Sequence, residues 1–273
     1  MRARLPAIGV NAALALLAVI AVGPLLWMLS VSFMQPGEAA AFPPPLLPAR
    51  PTLHNYVELF TRNGVGRYLL NSLALAGGTT LLSLLFNLAA GYAFAKLRFR
   101  GRDALFRGLL AALVIPAQVA MMPLFLLMKS LGLVNSYAGV VLPGLASVFG
   151  IFLVRQYARS IPDELLEAAR IDGAGEVRIF FVIVLPLLKP VIATLSILTF
   201  LASWNDFMWP LIVLSNQDYQ TLPVALASLS REHVMDNELM MAGAVLTVVP
   251  VLALFLALQR HYLQGLMLGG VKG

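Results

Sequence analysis

Six stretches without a single charged residue limit what this chain can fold into: residues 5–37, 68–95, 108–128, 130–154, 190–205 and 239–259. A bilayer core takes about 20 helical residues to cross. Five of the runs reach that length, and the sixth does so if Asp206 is tolerated within the membrane. Only 12% of the 273 residues are charged, against roughly 25% in soluble domains, and mean hydropathy is +0.86. Lipid offers a backbone no hydrogen-bonding partners, so such runs cross it as helices. The chain reads as an all-α membrane protein with about six transmembrane helices, near 8–33, 68–95, 108–128, 137–154, 190–214 and 239–259, in one transmembrane domain over residues 1–273.

The net charge of +6 would suggest nucleic acid in a soluble protein, but here the distribution of charge matters more than its sum. With the N-terminus inside and six spans, 14 of the 19 Lys and Arg residues fall on one side, leaving Arg50, Arg62, Arg67, Lys129 and Arg231 on the other. The positive-inside rule places both termini and the loop 155–189 in the cytoplasm. The opening MRAR and its apolar run resemble a secretory signal, yet the run exceeds the usual 7 to 15 residues and reads as an uncleaved first span. The proline-dense 36–52 reads as an external ordered arm, and Pro116 and Pro123 kink the third span.

Several chemistries lack their residues. There is no GxxxxGK[ST] phosphate loop, no GxSxG elbow and no HExxH, and cysteine is absent. His54, His233 and His261 fall on two outer segments and the inner tail, so no metal site is expected, nor any catalytic residue, bound cofactor or nucleic-acid partner.

Within the loop 155–189 the residues SIPDELLEAARIDG read as a short helix. Ser160 can cap it, Pro162 and Asp163 suit its first turn, and Gly173 can end it. Leu165, Leu166, Ala169 and Ile171 supply apolar surface, and Glu164, Glu167 and Arg170 supply charge. This is either a docking element or a helix lying on the inner membrane face. In the fifth span, Ser196, Thr199, Ser203, Asp206 and Pro210 recur at helical steps and make one polar stripe; Thr80, Ser83, Asn87 and Gly91 make another in the second span. Such stripes either line a hydrophilic path or pack helices together. Path candidates are Asn87, Gln118, Ser203, Asn205 and Asp206, the last because a charge inside a span is costly and must face protein or water. Trp204 and Trp209 read as interfacial anchors or as stacking faces for a sugar ring.

The stretch EAARIDGAGEVRIFFVIVLP at 167–186 places Glu167-Ala168-Ala169, Gly173, Ile183 and Leu185-Pro186 at fixed spacing, with Asp172-Gly173-Ala174 inside it. This resembles the EAA loop of permease subunits of bacterial ABC importers. SWNDFMWPL at 203–211 and the closing QGLMLGGVKG resemble the carbohydrate-uptake, maltose-permease-like branch. The resemblance implies a type I ABC importer permease in the bacterial cytoplasmic (inner) membrane, carrying a sugar or oligosaccharide. It implies a second permease subunit in a heterodimer, a cytoplasmic ATPase dimer that holds the ATP and Mg, and an extracytoplasmic substrate-binding protein. Carried over by residue, Glu167 would pair with a basic residue of the ATPase, Ala168 and Ala169 would be close-contact positions, and Gly173 the turn; Asp172, Ala174 and Pro186 complete the coupling motif. The alternatives are an ABC permease for glycerol phosphate or another polar solute, or a self-sufficient secondary transporter or channel. The last would more often show several intramembrane carboxylates, where this chain offers only Asp206.

Overall fold

A computed structural model describes residues 4–232 and 236–270, which among themselves form helices and connecting turns with no strand. Arg2, His233 and Lys272 lie outside the described residues, as do the last residues of the closing QGLMLGGVKG and the side chains of Arg4, Arg231, Arg260 and His261.

Helix α1 (Arg4–Ser32) is followed by the proline-rich connection, which holds one 3-10 turn at Glu38–Ala40, and by α2 (His54–Thr61) and α3 (Val65–Lys96). Next come α4 (Arg102–Ala112), α5 (Ala117–Ser130), α6 (Tyr137–Val141) and α7 (Val148–Arg159). The loop contributes α8 (Asp163–Ile171) and α9 (Glu176–Ile179), a π-helical turn at Phe180–Val184 and the one-turn α10 (Leu185–Leu187). The chain then runs through α11 (Lys189–Trp204), α12 (Met208–Val213), α13 (Leu222–Glu232) and α14 (Asn237–Gly270).

Among the described residues three helical stretches, Val10–Ser32, Val65–Lys96 and Asn237–Ala257, are long and apolar enough to cross a bilayer, and three bent pairs raise the number to six if each pair is one span. The bends have local causes. Between α4 and α5 the axis turns by 104°, where Pro116 takes an extended conformation and biases Ile115 away from helix. Pro123 sits inside α5 without breaking it, so the expected kink falls at Pro116 alone. The 80° bend ahead of α11 lies where Pro190 cannot donate to the carbonyl of Pro186.

Three sequence expectations change. Ser160 does not cap α8: its hydroxyl donates to the Tyr157 carbonyl at 2.7 Å and closes α7, while Pro162 occupies the position before α8. The fifth span is not one helix, because α11 ends at Trp204 and α12 restarts at Met208, so the stripe through Asp206 crosses a break. Trp204 and Trp209 are buried, with 1% and 7% exposure, and are packed inside the chain rather than presented as interfacial anchors. Helix α13 forms in the segment between the fifth and sixth spans, where Leu222, Ala225, Leu226 and Leu229 carry a helical period.

The chain divides into two compact units. In Met1–Arg67 with Ala225–Pro250, the buried Asn55 donates its amide to the Ser32 and Met34 carbonyls at 3.0 and 2.8 Å, covering the end of α1. Glu238, equally buried, accepts from the Ala39 amide at 2.7 Å, and Leu226 fills the place a side chain at Gly243 would need. In Tyr68–Val224 with Val251–Gly273, a core of Leu88, Tyr92, Val154, Ala158, Leu166, Ile179, Val184 and Leu188 joins α3, α7 and the loop. Gly91 makes this approach feasible, since a Cβ there would stand 2.5 Å from Val154. Within lipid, close packing of this kind holds helices together, because expelling water contributes little.

Candidate functional site

Two features of the second unit collect the residues singled out in the sequence. The first is α8. Asp163 and Glu164 occupy its first turn, where acidic groups favour the helix dipole. Its end is a Schellman turn: Gly173 has φ +82°, its amide donates to the Arg170 carbonyl at 3.0 Å, and the Ala174 amide donates to Ala169 at 2.9 Å. Nothing lies within 4 Å of where a Cβ of Gly173 would be, so glycine is required there by backbone conformation and not by crowding.

Helix α8 has two faces. Leu166 is buried, and Ala169 and Ala174 pack against the core around Tyr92 and Val154. Glu164, Glu167, Ala168, Ile171 and Asp172 are exposed, Ile171 by 87%. Of the coupling-motif residues, then, Glu167, Ala168, Asp172 and Gly173 are presented outward, while Ala169 and Ala174 serve the chain's own packing. Pro186 is exposed on α10.

Both ends of α8 are tied to the last turns of α3. At the start, the Lys96 ammonium donates to the Ile161 carbonyl at 2.5 Å and to Asp163 at 2.6 Å. The Lys96 side chain is 6% exposed and that of Asp163 is 73% exposed. The buried cation therefore depends on these acceptors, while the carboxylate also has water. The hydrogen bond from Lys96 holds the Asp163 carboxyl below its ordinary pKa. At the other end, Arg170 meets Glu176 at 2.7 Å, and the Tyr92 hydroxyl donates to the other Glu176 oxygen at 2.9 Å. Tyr92 and Lys96 are four residues apart, on one face of α3. Sequence reading takes Lys96 only as an inside cation and passes over Tyr92; the available signal is two hydrogen-bonding side chains one turn apart at the inner end of an apolar run.

The second feature is a cavity of about 720 Å³. Ser72, Thr79 and Ser83 face it from α3, Ala117, Met121 and Leu124 from α5, Ser147 and Phe149 from the start of α7, and Thr199 and Ser203 from α11; Asp206, Trp209 and Thr221 complete one side. Asp206 sits in the break after α11, where one carboxylate oxygen accepts from the Trp209 amide at 3.3 Å. The Trp209 indole N–H donates to the Gly139 carbonyl at 3.2 Å, which fixes the ring in the wall. Thr221 is 4% exposed, and its hydroxyl finds no partner among the described residues.

The structure thus brings Ser203 and Asp206 to one cavity and leaves the other path candidates elsewhere. Asn205 is exposed and donates to the Leu201 carbonyl at 2.9 Å, ending α11. Gln118 is exposed on α5 outside the cavity wall. Asn87 is buried; it donates to Ser83 at 2.8 Å, accepts from the Ser147 amide at 3.0 Å, and lies against Gly150, where a Cβ would come within 2.6 Å. Ser72, Thr79, Ser147 and Thr221 are cavity residues that sequence reading misses, Thr221 because it lies in a segment that reads as an outer loop.

Residues 87–267 match the family described as binding-protein-dependent transport system inner membrane component. The arabinooligosaccharides transport system permease protein AraQ of Halalkalibacterium halodurans is 43% identical over 266 residues, 95% of this chain and 94% of that protein. The melibiose/raffinose/stachyose import permease protein MelC of Bacillus subtilis is 37% identical over 231 residues, 84% of each. Among solved structures, a chain from a bacterial ABC transporter involved in the import of the acidic polysaccharide alginate superposes with a TM-score of 0.84 at 25% identity, covering 95% of this chain and 97% of that one.

Proposed function

The chain belongs to the family of binding-protein-dependent transport system inner membrane components, and from that premise we propose that it carries a sugar or oligosaccharide across the bacterial inner membrane as one permease of an ATP-driven importer. Its fold is that of ABC importer permeases. The relatives named for arabinooligosaccharide and for melibiose, raffinose and stachyose transport support the cargo class. Its partners are a second, different permease, a cytoplasmic ATPase dimer holding ATP and Mg, and an external binding protein.

The observation that carries the coupling role is α8 itself, a helix with an outward face of Glu167, Ala168 and Ile171, anchored at both ends to α3. A push on α8 reaches α3 through Lys96 and Tyr92, and α3 supplies Ser72, Thr79 and Ser83 to the cavity. In this reading both termini and the loop 155–189 are cytoplasmic, and solute passes along the wall that holds Ser203 and Asp206.

Reconstitution of the chain with its partners in vesicles tests the function: uptake of neutral oligosaccharide that requires both ATP and the binding protein is the expected result. Uptake without ATP would point to a self-sufficient carrier. Reporter fusions after Gly101 and Gly173 are expected to read inside, and fusions after Pro48 and Gln217 outside; an outside signal at Gly173 would end the coupling role of α8.

A further inference from the structure

We infer that the membrane cavity of this chain discriminates by charge, admitting neutral, hydroxyl-rich solutes and opposing anionic ones, with Asp206 as the residue that sets the sign. This inference rests on the proposed function, in that it takes the cavity to be part of the solute path.

Among the described residues the wall contains one ionisable side chain, Asp206, and no lysine, arginine or histidine. Asp206 is held in place, not left to swing, because its carboxylate accepts from the Trp209 amide at 3.3 Å at the start of α12. Hydroxyls surround the same space from separate elements, among them Ser72, Thr199 and Ser203. Thr221 lines it as well, with its hydroxyl oxygen enclosed in the wall.

The chemistry of these groups specifies the solute that suits them. A serine or threonine hydroxyl both donates and accepts, as does each hydroxyl of a sugar. A carboxylate only accepts, so it serves hydroxyl donors and repels carboxylate, sulfate or phosphate. A wall suited to anions would need guanidinium or ammonium donors, and this one has none. Between apolar walls the repulsion is stronger than in water. Asp206 therefore separates neutral oligosaccharides from uronate-containing or phosphorylated solutes after the external binding protein has made its own choice.

The chain has no cysteine, so a single introduced thiol can report on the cavity. Ser203→Cys and Thr199→Cys are each placed in the assembled transporter, whose other chains carry no reactive cysteine. Each is treated with thiosulfonate reagents of matched size bearing a sulfonate, no charge or an ammonium, and every rate is divided by that reagent's rate with a small free thiol. The expected result is a sulfonate rate about tenfold below the neutral one, rising to near equality when Asp206→Asn is added. Equal normalised rates with Asp206 present, or a difference that Asp206→Asn leaves unchanged at both positions, overturns the inference. If no reagent reaches either thiol while all three label Gln217→Cys, the cavity is off the aqueous path, and the cavity part of the proposed function falls with the inference.

Discussion

The Lys96 ammonium and the Asp163 carboxylate meet at 2.6 Å across 67 residues of chain, joining the last turn of α3 to the first residue of α8. The contact is unequal: the cation is nearly enclosed and the anion is mostly in water. Its pH dependence is set by the anion. Asp163 has a folded pKa below its unfolded value of about 3.9, so its contribution is fully present above that value and is lost as pH falls through the lowered folded value. The difference in thermal midpoint between the wild type and Asp163→Asn is therefore expected to be constant from pH 7 down to about pH 5 and to shrink below about pH 4. A difference that instead grew on acidification would reverse this assignment.

Gly173 makes a prediction about shape alone. With φ +82° and open space where a Cβ would go, substitution is penalised by backbone conformation. Gly173→Ala should cost about 1–2 kcal/mol, Gly173→Asn less, and Gly173→Val more, because asparagine tolerates this region and a β-branched residue does not. Thermal unfolding of the purified transporter checks the order, and the ratio of ATP hydrolysed to solute imported is expected to rise along the same series.

Glu167 predicts a partner effect without a fold effect. It is exposed on α8 and makes none of the hydrogen bonds that tie α8 to α3. Glu167→Ala is expected to leave the thermal midpoint of the isolated permease pair within the scatter of repeat scans, while weakening retention of the ATPase by up to about 1.5–3 kcal/mol if a charge-assisted hydrogen bond is lost. Titration of the ATPase against the immobilised permease pair measures it.

Thr221 predicts a change in stability without one in transport. Thr221→Val keeps the shape and removes an enclosed hydroxyl left without a partner among the described residues, so the thermal midpoint should hold or rise, with uptake at limiting solute unchanged. A fall in the thermal midpoint would overturn this, since it would show the hydroxyl to be bonded in the folded protein.

Asn87 predicts the reverse. Asn87→Ala removes the acceptor of the Ser147 amide and the cover of Gly150, at a cost of about 1–3 kcal/mol for a buried group left unsatisfied. Yield and thermal midpoint should fall, with solute preference unchanged in whatever protein assembles.

The parts of this fold that can be read in the sequence are those fixed by neighbours in the chain. Uncharged runs mark the long helices because lipid penalises charge wherever it occurs along them, and Pro116 marks a bend because its ring acts on the residues beside it. Gly173 is readable as the end of α8 for the same reason. The break after Trp204 has one local signal, Pro210, which cannot donate to the carbonyl of Asp206, but the polar stripe hides it, since a pattern of Ser203 and Asp206 looks the same on one helix as on two. The ties from Tyr92 to Glu176, 84 residues apart, and from Lys96 to Asp163 depend on how α3, α7 and the loop pack, which no local pattern records. The burial of Trp209 likewise depends on the Gly139 carbonyl 70 residues away.

The π-helical turn at Phe180–Val184 gives the loop a slack residue. There the Leu185 amide reaches back to the Phe180 carbonyl, one residue farther than in an α-helix, while Phe180 and Val184 stay in the core. Such a turn is an α-helical turn widened to hold one residue more, so deleting a single residue from it would restore ordinary helix and leave α8 aimed as before. The same deletion in an α-helical stretch would turn everything beyond it by about 100°. The widened turn is thus a place where the chain can shorten without re-aiming the outward face of α8.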